Sequence, residues 1–118
     1  MEKLDKMLVA EIDRTKIRGL DLKDKKFQVI IEHKEWNKLM DVMKSNNKNY
    51  TTELEKVVRE EQSSIIEKLN YLHASENLKV LPFANAIYAE LTFDQIIEVS
   101  KLNDVKIIRL NKTEHVTC

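Results

Sequence analysis

The sequence predicts an α+β domain built on a four-stranded antiparallel sheet. Three observations carry that prediction. Short stretches with apolar residues at every second position recur along the chain, helical stripes at i, i+3, i+4 and i+7 separate some of them, and two strand candidates follow one another with no helix between. A chain of 118 residues, 42% apolar, is long enough to bury one core and needs no second domain.

Leu4, Met7, Leu8 and Ile12 recur at helical spacing and predict a short amphipathic helix over residues 2–13. Gly19 interrupts a polar, charged connector, so residues 1–24 read as an N-terminal helix and connector ahead of a main domain at 25–111. KKFQVIIE, Lys25 to Glu32, is the first strand, in which Phe27, Val29 and Ile31 alternate with Lys26, Gln28 and Ile30. Trp36, Leu39, Met40 and Met43 form a helical stripe, and SNNKN, Ser45 to Asn49, reads as loop.

Thr52 and Glu55 have capping-box spacing, in which each side chain satisfies the other residue's free backbone N–H, so a long helix is expected to run from there to about His73. Its stripe is Leu54, Val57, Val58, Ile65, Ile66, Leu69 and Leu72, with Glu61 and Gln62 leaving one turn weakly apolar. NLKVLP, Asn77 to Pro82, is the second strand, ended by a proline that has no N–H to pair. Asn85 to Leu91 is the third. Thr92 and Gln95 form another capping box and open a helix with Phe93, Ile96, Ile97 and Leu102 on its core side, ending near Asn103. Val105 to Leu110 is the fourth strand, and NKTEHVTC has no apolar period, so residues 112–118 read as an extended tail.

After the N-terminal helix the order is therefore β-α-β-β-α-β, the split βαβ or ferredoxin-like pattern with both helices on one sheet face. Right-handed crossovers place the first and third strands in the centre, with the fourth and second at the edges. Ile87, Ala89 and Leu91 then face the core, while Ala86, Tyr88 and Glu90 face away from it, joined there by Ile30 and Ile107. Tyr88 reads either as an isolated exposed aromatic or as an interface residue, and the two isoleucines favour the second.

Twenty basic and twenty acidic side chains cancel, so no global field draws the chain to nucleic acid or to an anionic membrane, and neither is an expected partner. No apolar run approaches the ~20 residues of a membrane span. MEKLDKMLVAEID also lacks the apolar centre of a signal peptide, so the sequence as it stands reads as cytoplasmic. The one cysteine, Cys118, gives no internal disulfide.

Chemistry finds little foothold. A single glycine makes a phosphate-binding loop nearly impossible. His33, His73, His115 and Cys118 show no metal-ligand spacing and read as surface residues. Ser63 and Ser64 lie mid-helix without an activating base, and Glu60 and Glu61 read as a solvated helix face. Trp36 and the four methionines read as core filler. The expectation is a protein that is not an enzyme and carries no metal or cofactor.

NAIYAELTFDQIIEVSKLNDVKIIRLN, Asn85 to Asn111, resembles the second half of the propeptide inhibitor domain of subtilisin-like serine proteases. Asn85, Ala86, Ala89, Glu90, Leu91, Thr92, Gln95, Ile96, Leu102 and Val105 carry the likeness. Phe27 to Glu32 resembles that family's first strand, and REEQSSIIEKL, Arg59 to Leu69, an extended variant of its helix. The chain departs from the pattern in showing no secretion signal, in Asn103 and Asp104 at the turn before Val105, and in its N-terminal helix. The cytoplasmic reading and export with a protease therefore both stand.

The resemblance implies an intramolecular chaperone and tight-binding inhibitor of a subtilisin-like serine protease domain, in the same precursor or on a separate chain. The open face with Ile30, Ala86, Tyr88, Glu90 and Ile107 would dock on the protease. The tail Glu114, His115, Val116, Thr117 and Cys118 would lie in its substrate cleft, with Glu114 at an enzyme helix N-terminus and Cys118 in the primary specificity pocket. A frayed terminus is the plain alternative for the tail. Two rivals need no protease: a ferredoxin-like regulatory or ligand-binding module, and an adaptor using the flank of the long helix.

Overall fold

Alternation of Phe27, Val29 and Ile31 with Gln28, Ile30 and Glu32 produces the central strand β1 (Phe27–His33), whose first three alternate residues are fully or almost fully buried. A computed structural model describes residues 3–19, 21–34, 60, 62–81 and 85–111. In chain order its elements are α1 (Lys6–Ile17), β1, α2 (Ser63–Tyr71), β2 (Lys79–Leu81), β3 (Ala86–Leu91), α3 (Phe93–Ser100) and β4 (Val105–Leu110). The strands form one sheet in the order β2-β3-β1-β4, every neighbouring pair antiparallel. This is the expected ferredoxin-like arrangement, with β1 and β3 in the centre.

The register sets the two faces. Phe27 opposes Leu91, Val29 opposes Ala89 and Ile31 opposes Ile87, and all six are buried together with Leu8, Ile12, Ile65, Leu69, Ile96 and Val99 from the three helices. The helices therefore share one side of the sheet. Full burial of a Leu or Ile side chain is worth about 1.5–3 kcal/mol, so this layer is the main source of stability. In β4 the alternation breaks, because a bulge between Glu32 and His33 leaves Lys106 without an opposing residue. Val105 and Ile108, three positions apart, consequently both point into the core.

The N-terminus differs from its sequence-based reading. Asp5 caps α1 by accepting from the Met7 N–H at 3.2 Å, which starts the helix at Lys6 and carries it on to Ile17. Leu4 thus lies outside the helix and forms a parallel bridge to Ile108, held by Asp5 N–H to the Ile108 carbonyl (2.9 Å) and Ile108 N–H to the Lys3 carbonyl (2.7 Å). Those bonds occupy backbone groups on the outer side of β4, so that edge is paired.

The helix ends follow local chemistry. Gly19 sits at φ 72°, past the C-cap of α1, with its N–H on the Lys16 carbonyl at 3.0 Å. The end of α2 carries a full Schellman motif: Ala74 N–H donates to the Leu69 carbonyl (2.8 Å), and His73 N–H, at φ 57°, donates to the Asn70 carbonyl (3.1 Å). The capping box expected before α3 is present in both directions, Thr92 N–H to Gln95 Oε1 at 2.9 Å and Gln95 N–H to Thr92 Oγ1 at 3.3 Å.

Two further expectations need correction. The single helix expected through residues 52–73 does not run unbroken across Gln62, which has turn geometry (φ −90°, ψ 5°), so that α2 begins at Ser63. Ser63 and Ser64 are weak helix formers, and the Ser64 hydroxyl bonds the Asp104 carboxylate. These serines accordingly lie in the first turn of α2 instead of mid-helix. His33, read as a surface histidine, is buried, since the bulge keeps it opposite Val105 on the core side. The Trp36, Leu39, Met40 and Met43 stripe, the loop at Ser45 to Asn49, the Thr52–Glu55 capping box and Pro82 lie outside the described residues.

Candidate functional site on the open face of the sheet

The sheet face away from the core is built row by row from the register. One row runs Lys79, Tyr88, Ile30 and Arg109 across all four strands, and the next runs Leu81, Ala86, Glu32 and Ile107. Gln28 and Glu90 oppose each other beyond them. None of Ile30, Leu81, Tyr88 and Ile107 belongs to the hydrophobic cluster that the helices form on the other side. All four are half-buried.

Polar groups frame this apolar strip. Lys79 Nζ stands 6.0 Å from the centre of the Tyr88 ring, a cation–π distance, and Asn77 Nδ2 donates to Glu90 Oε2 at 2.6 Å. Arg109 Nε reaches Glu32 Oε1 at 3.2 Å, and its Nη1 reaches Asp5 Oδ1 at 3.7 Å. Such partly exposed ion pairs contribute little to stability, about 0–1 kcal/mol each, but Arg109 neutralises Glu32, the one carboxylate that stands within the strip, between Ala86 and Ile107. A hydrophobic centre with a polar rim is the composition of a protein-contact surface.

Of the residues expected on this face, Ile30, Ala86, Tyr88, Glu90 and Ile107 all map to it by register. Ala86 differs from the others in being fully buried. Its register partners Leu81 and Glu32 are both longer, so its methyl forms a recess in the face and not a contact knob. Leu81, Lys79 and Arg109 were not singled out from the sequence. The alternation of Lys79 and Leu81 about Val80 carries that signal, but it becomes readable only when the pairing of Leu81 with Ala86 is known. The tail residues Glu114, His115, Val116, Thr117 and Cys118 lie outside the described residues.

The upper end of the sheet is held by a buried polar knot. Gln62, fully buried at the start of α2, donates through Nε2 to Asn85 Oδ1 (3.0 Å) and to the Ala86 carbonyl (3.2 Å). Asn85 adopts φ 44°, a left-handed corner, and its carbonyl accepts from His33 N–H at 2.9 Å. Lys34 N–H then donates to the Asp104 carbonyl at 2.9 Å. Sequence reading missed Gln62, although its spacing to Ile65 and Leu69 puts it on the buried stripe of the helix, where a polar residue must have partners.

Among the described residues no group of three or more His, Cys, Asp or Glu side chains could hold a metal ion, and no helix is long and apolar enough to cross a membrane. What the face can do is bind by shape. Set against protein-family models, curated proteins and solved structures, the chain matches none.

Proposed function

We propose that the chain is a non-catalytic inhibitor and folding assistant of a subtilisin-like serine protease, docking through the open sheet face and placing Glu114 to Cys118 in the substrate cleft. The observation that carries this reading is the apolar strip of Ile30, Leu81, Tyr88 and Ile107 on the sheet face that the described helices leave uncovered. The likeness of Asn85 to Asn111 to the propeptide inhibitor pattern supplies the identity of the partner.

Magnitudes favour a two-part contact. Four strands about 4.8 Å apart, three of six or seven residues and β2 of three, present a face of roughly 350 Å². A stable interface takes about 800 Å² from each partner, so the sheet supplies about half of it. An extended tail lying along an enzyme strand edge supplies the remainder through backbone hydrogen bonds, with little demand on its sequence. A nanomolar complex corresponds to about −12 kcal/mol, which interfaces of standard size attain. As a folding assistant, the preformed sheet would act as a template on which the protease's own helices assemble.

The test is inhibition of purified subtilisin-like proteases by the chain, measured with and without Thr113 to Cys118. The reading expects tight inhibition by the full chain and a loss of at least about tenfold on truncation, while the truncated chain still binds. Equal inhibition by both forms would remove the tail from the mechanism, and no inhibition of any such protease would remove the reading.

A further inference from the structure

Where β1 begins and β4 ends, an open cleft of about 750 Å³ lies between one flank of α1 and the strand ends. Its lining is charged in one sense: Lys6 and Arg14 on the helix, Lys25 and Lys26 leading into β1, and one carboxylate, Glu11. Glu11 is already engaged, with Arg14 Nη1 at 2.7 Å from its Oε2. Lys6, Lys25 and Lys26 make no ion pair with any described residue. In a chain of zero formal net charge, this concentration is a local feature and not part of a general basic surface.

The remaining walls are apolar. Half-buried Leu110 lines the cleft, core-buried Phe27 backs it, and Met7 lines it from the helix while staying 50% exposed, one of three large apolar side chains so open among the described residues. Lys25 Nζ lies 5.7 Å from the Phe27 ring centre, so its ammonium stands over the apolar wall. Cations around an adaptable methionine suit a ligand that is both anionic and partly greasy. A polyphosphate backbone has no use for the apolar wall, and a peptide has.

We propose that this cleft binds an extended acidic segment of a partner protein, one with an apolar side chain between its carboxylates. The carboxylates meet Lys6, Lys25 and Lys26, and the apolar side chain packs against Met7 and Leu110. The proposal does not depend on the protease reading, because the cleft is lined by α1 and the strand ends and shares only Gln28 with the open face.

The probe is a fluorescein-labelled hexapeptide, Glu-Leu-Glu-Glu-Leu-Glu, titrated with the full chain by fluorescence anisotropy. Saturable binding is expected, weakening steeply as ionic strength rises from about 0.05 M to about 0.5 M. The Lys25→Glu/Lys26→Glu double variant should bind about tenfold or more weakly, and Tyr88→Ala should bind as the parent does. Lys6→Glu, at an exposed position of α1, gives an independent reading should the double variant fail to fold. Undiminished binding by the folded charge-reversal variants would overturn the proposal. So would equal binding of a peptide with Gln in place of Glu, or preferential binding of a single-stranded oligonucleotide that the peptide cannot displace.

Discussion

Gln62 and Asn85, 23 residues apart in the chain, are joined amide to amide inside the protein, Nε2 to Oδ1 at 3.0 Å. Asn85 is held at the same time by its carbonyl on the β1 backbone, through His33 N–H. One residue in a left-handed corner thereby fixes the start of α2, the end of β1 and the entry to β3. Because side chains alternate along β3 from that entry, this corner decides that Tyr88 and Glu90 point out while Ile87 and Leu91 point in.

Gln62→Ala should therefore be costly although it removes no charge. It removes the amide donor that Asn85 Oδ1 and the Ala86 carbonyl share and leaves a cavity where a fully buried side chain stood. The expected loss is about 2–4 kcal/mol in urea-induced unfolding. A double-mutant cycle with Asn85→Gly, which keeps the left-handed backbone and deletes the whole side-chain amide, should give a coupling of about 1 kcal/mol.

His73 is a non-glycine residue at the left-handed C′ position of α2. His73→Gly relieves the crowding of its Cβ, at the expense of a more flexible unfolded chain. The net expectation is a gain of about 0.5–1 kcal/mol, read as a rise in Tm of about 2–4 °C. His73→Val should shift the Tm downwards, because a β-branched side chain fits that conformation worst.

Gln95 links two helix ends. It closes the capping box with Thr92, and its Nε2 donates to the Leu72 carbonyl at 3.1 Å, a group at the end of α2. Thr92→Ala should cost about 1 kcal/mol, the worth of one cap. Gln95→Ala should cost more, because it removes the cap and the bond to Leu72 together; equal losses from the two substitutions in chemical denaturation would show that the inter-helix bond contributes nothing.

The sheet was legible because its evidence is local. Phe27, Val29 and Ile31 alternate within one strand, Ile87, Ala89 and Leu91 within another, and the Thr92–Gln95 box marks a helix start by itself. What escaped was set by partners distant in sequence. Leu4 fits a helical stripe, yet the Asp5 cap and the open edge of β4 draw it into a bridge with Ile108. His33 is buried by a bulge in another strand, and Ala86 is submerged between neighbours that only the register reveals. On the candidate site, the half carried by Ile30, Tyr88 and Ile107 follows from alternation and a strand order, whereas Leu81 and Arg109 required the pairing itself.

Ile30→Glu puts to the test that the sheet face left uncovered by the described helices is a contact surface. Ile30 sits between Tyr88 and Arg109 at the middle of the face and outside the core cluster. A carboxylate there should leave the Tm within a few degrees of the parent while raising the inhibition constant against a subtilisin-like protease by about 100-fold, or about 2.7 kcal/mol. A folded Ile30→Glu chain that inhibits as tightly as the parent would contradict it.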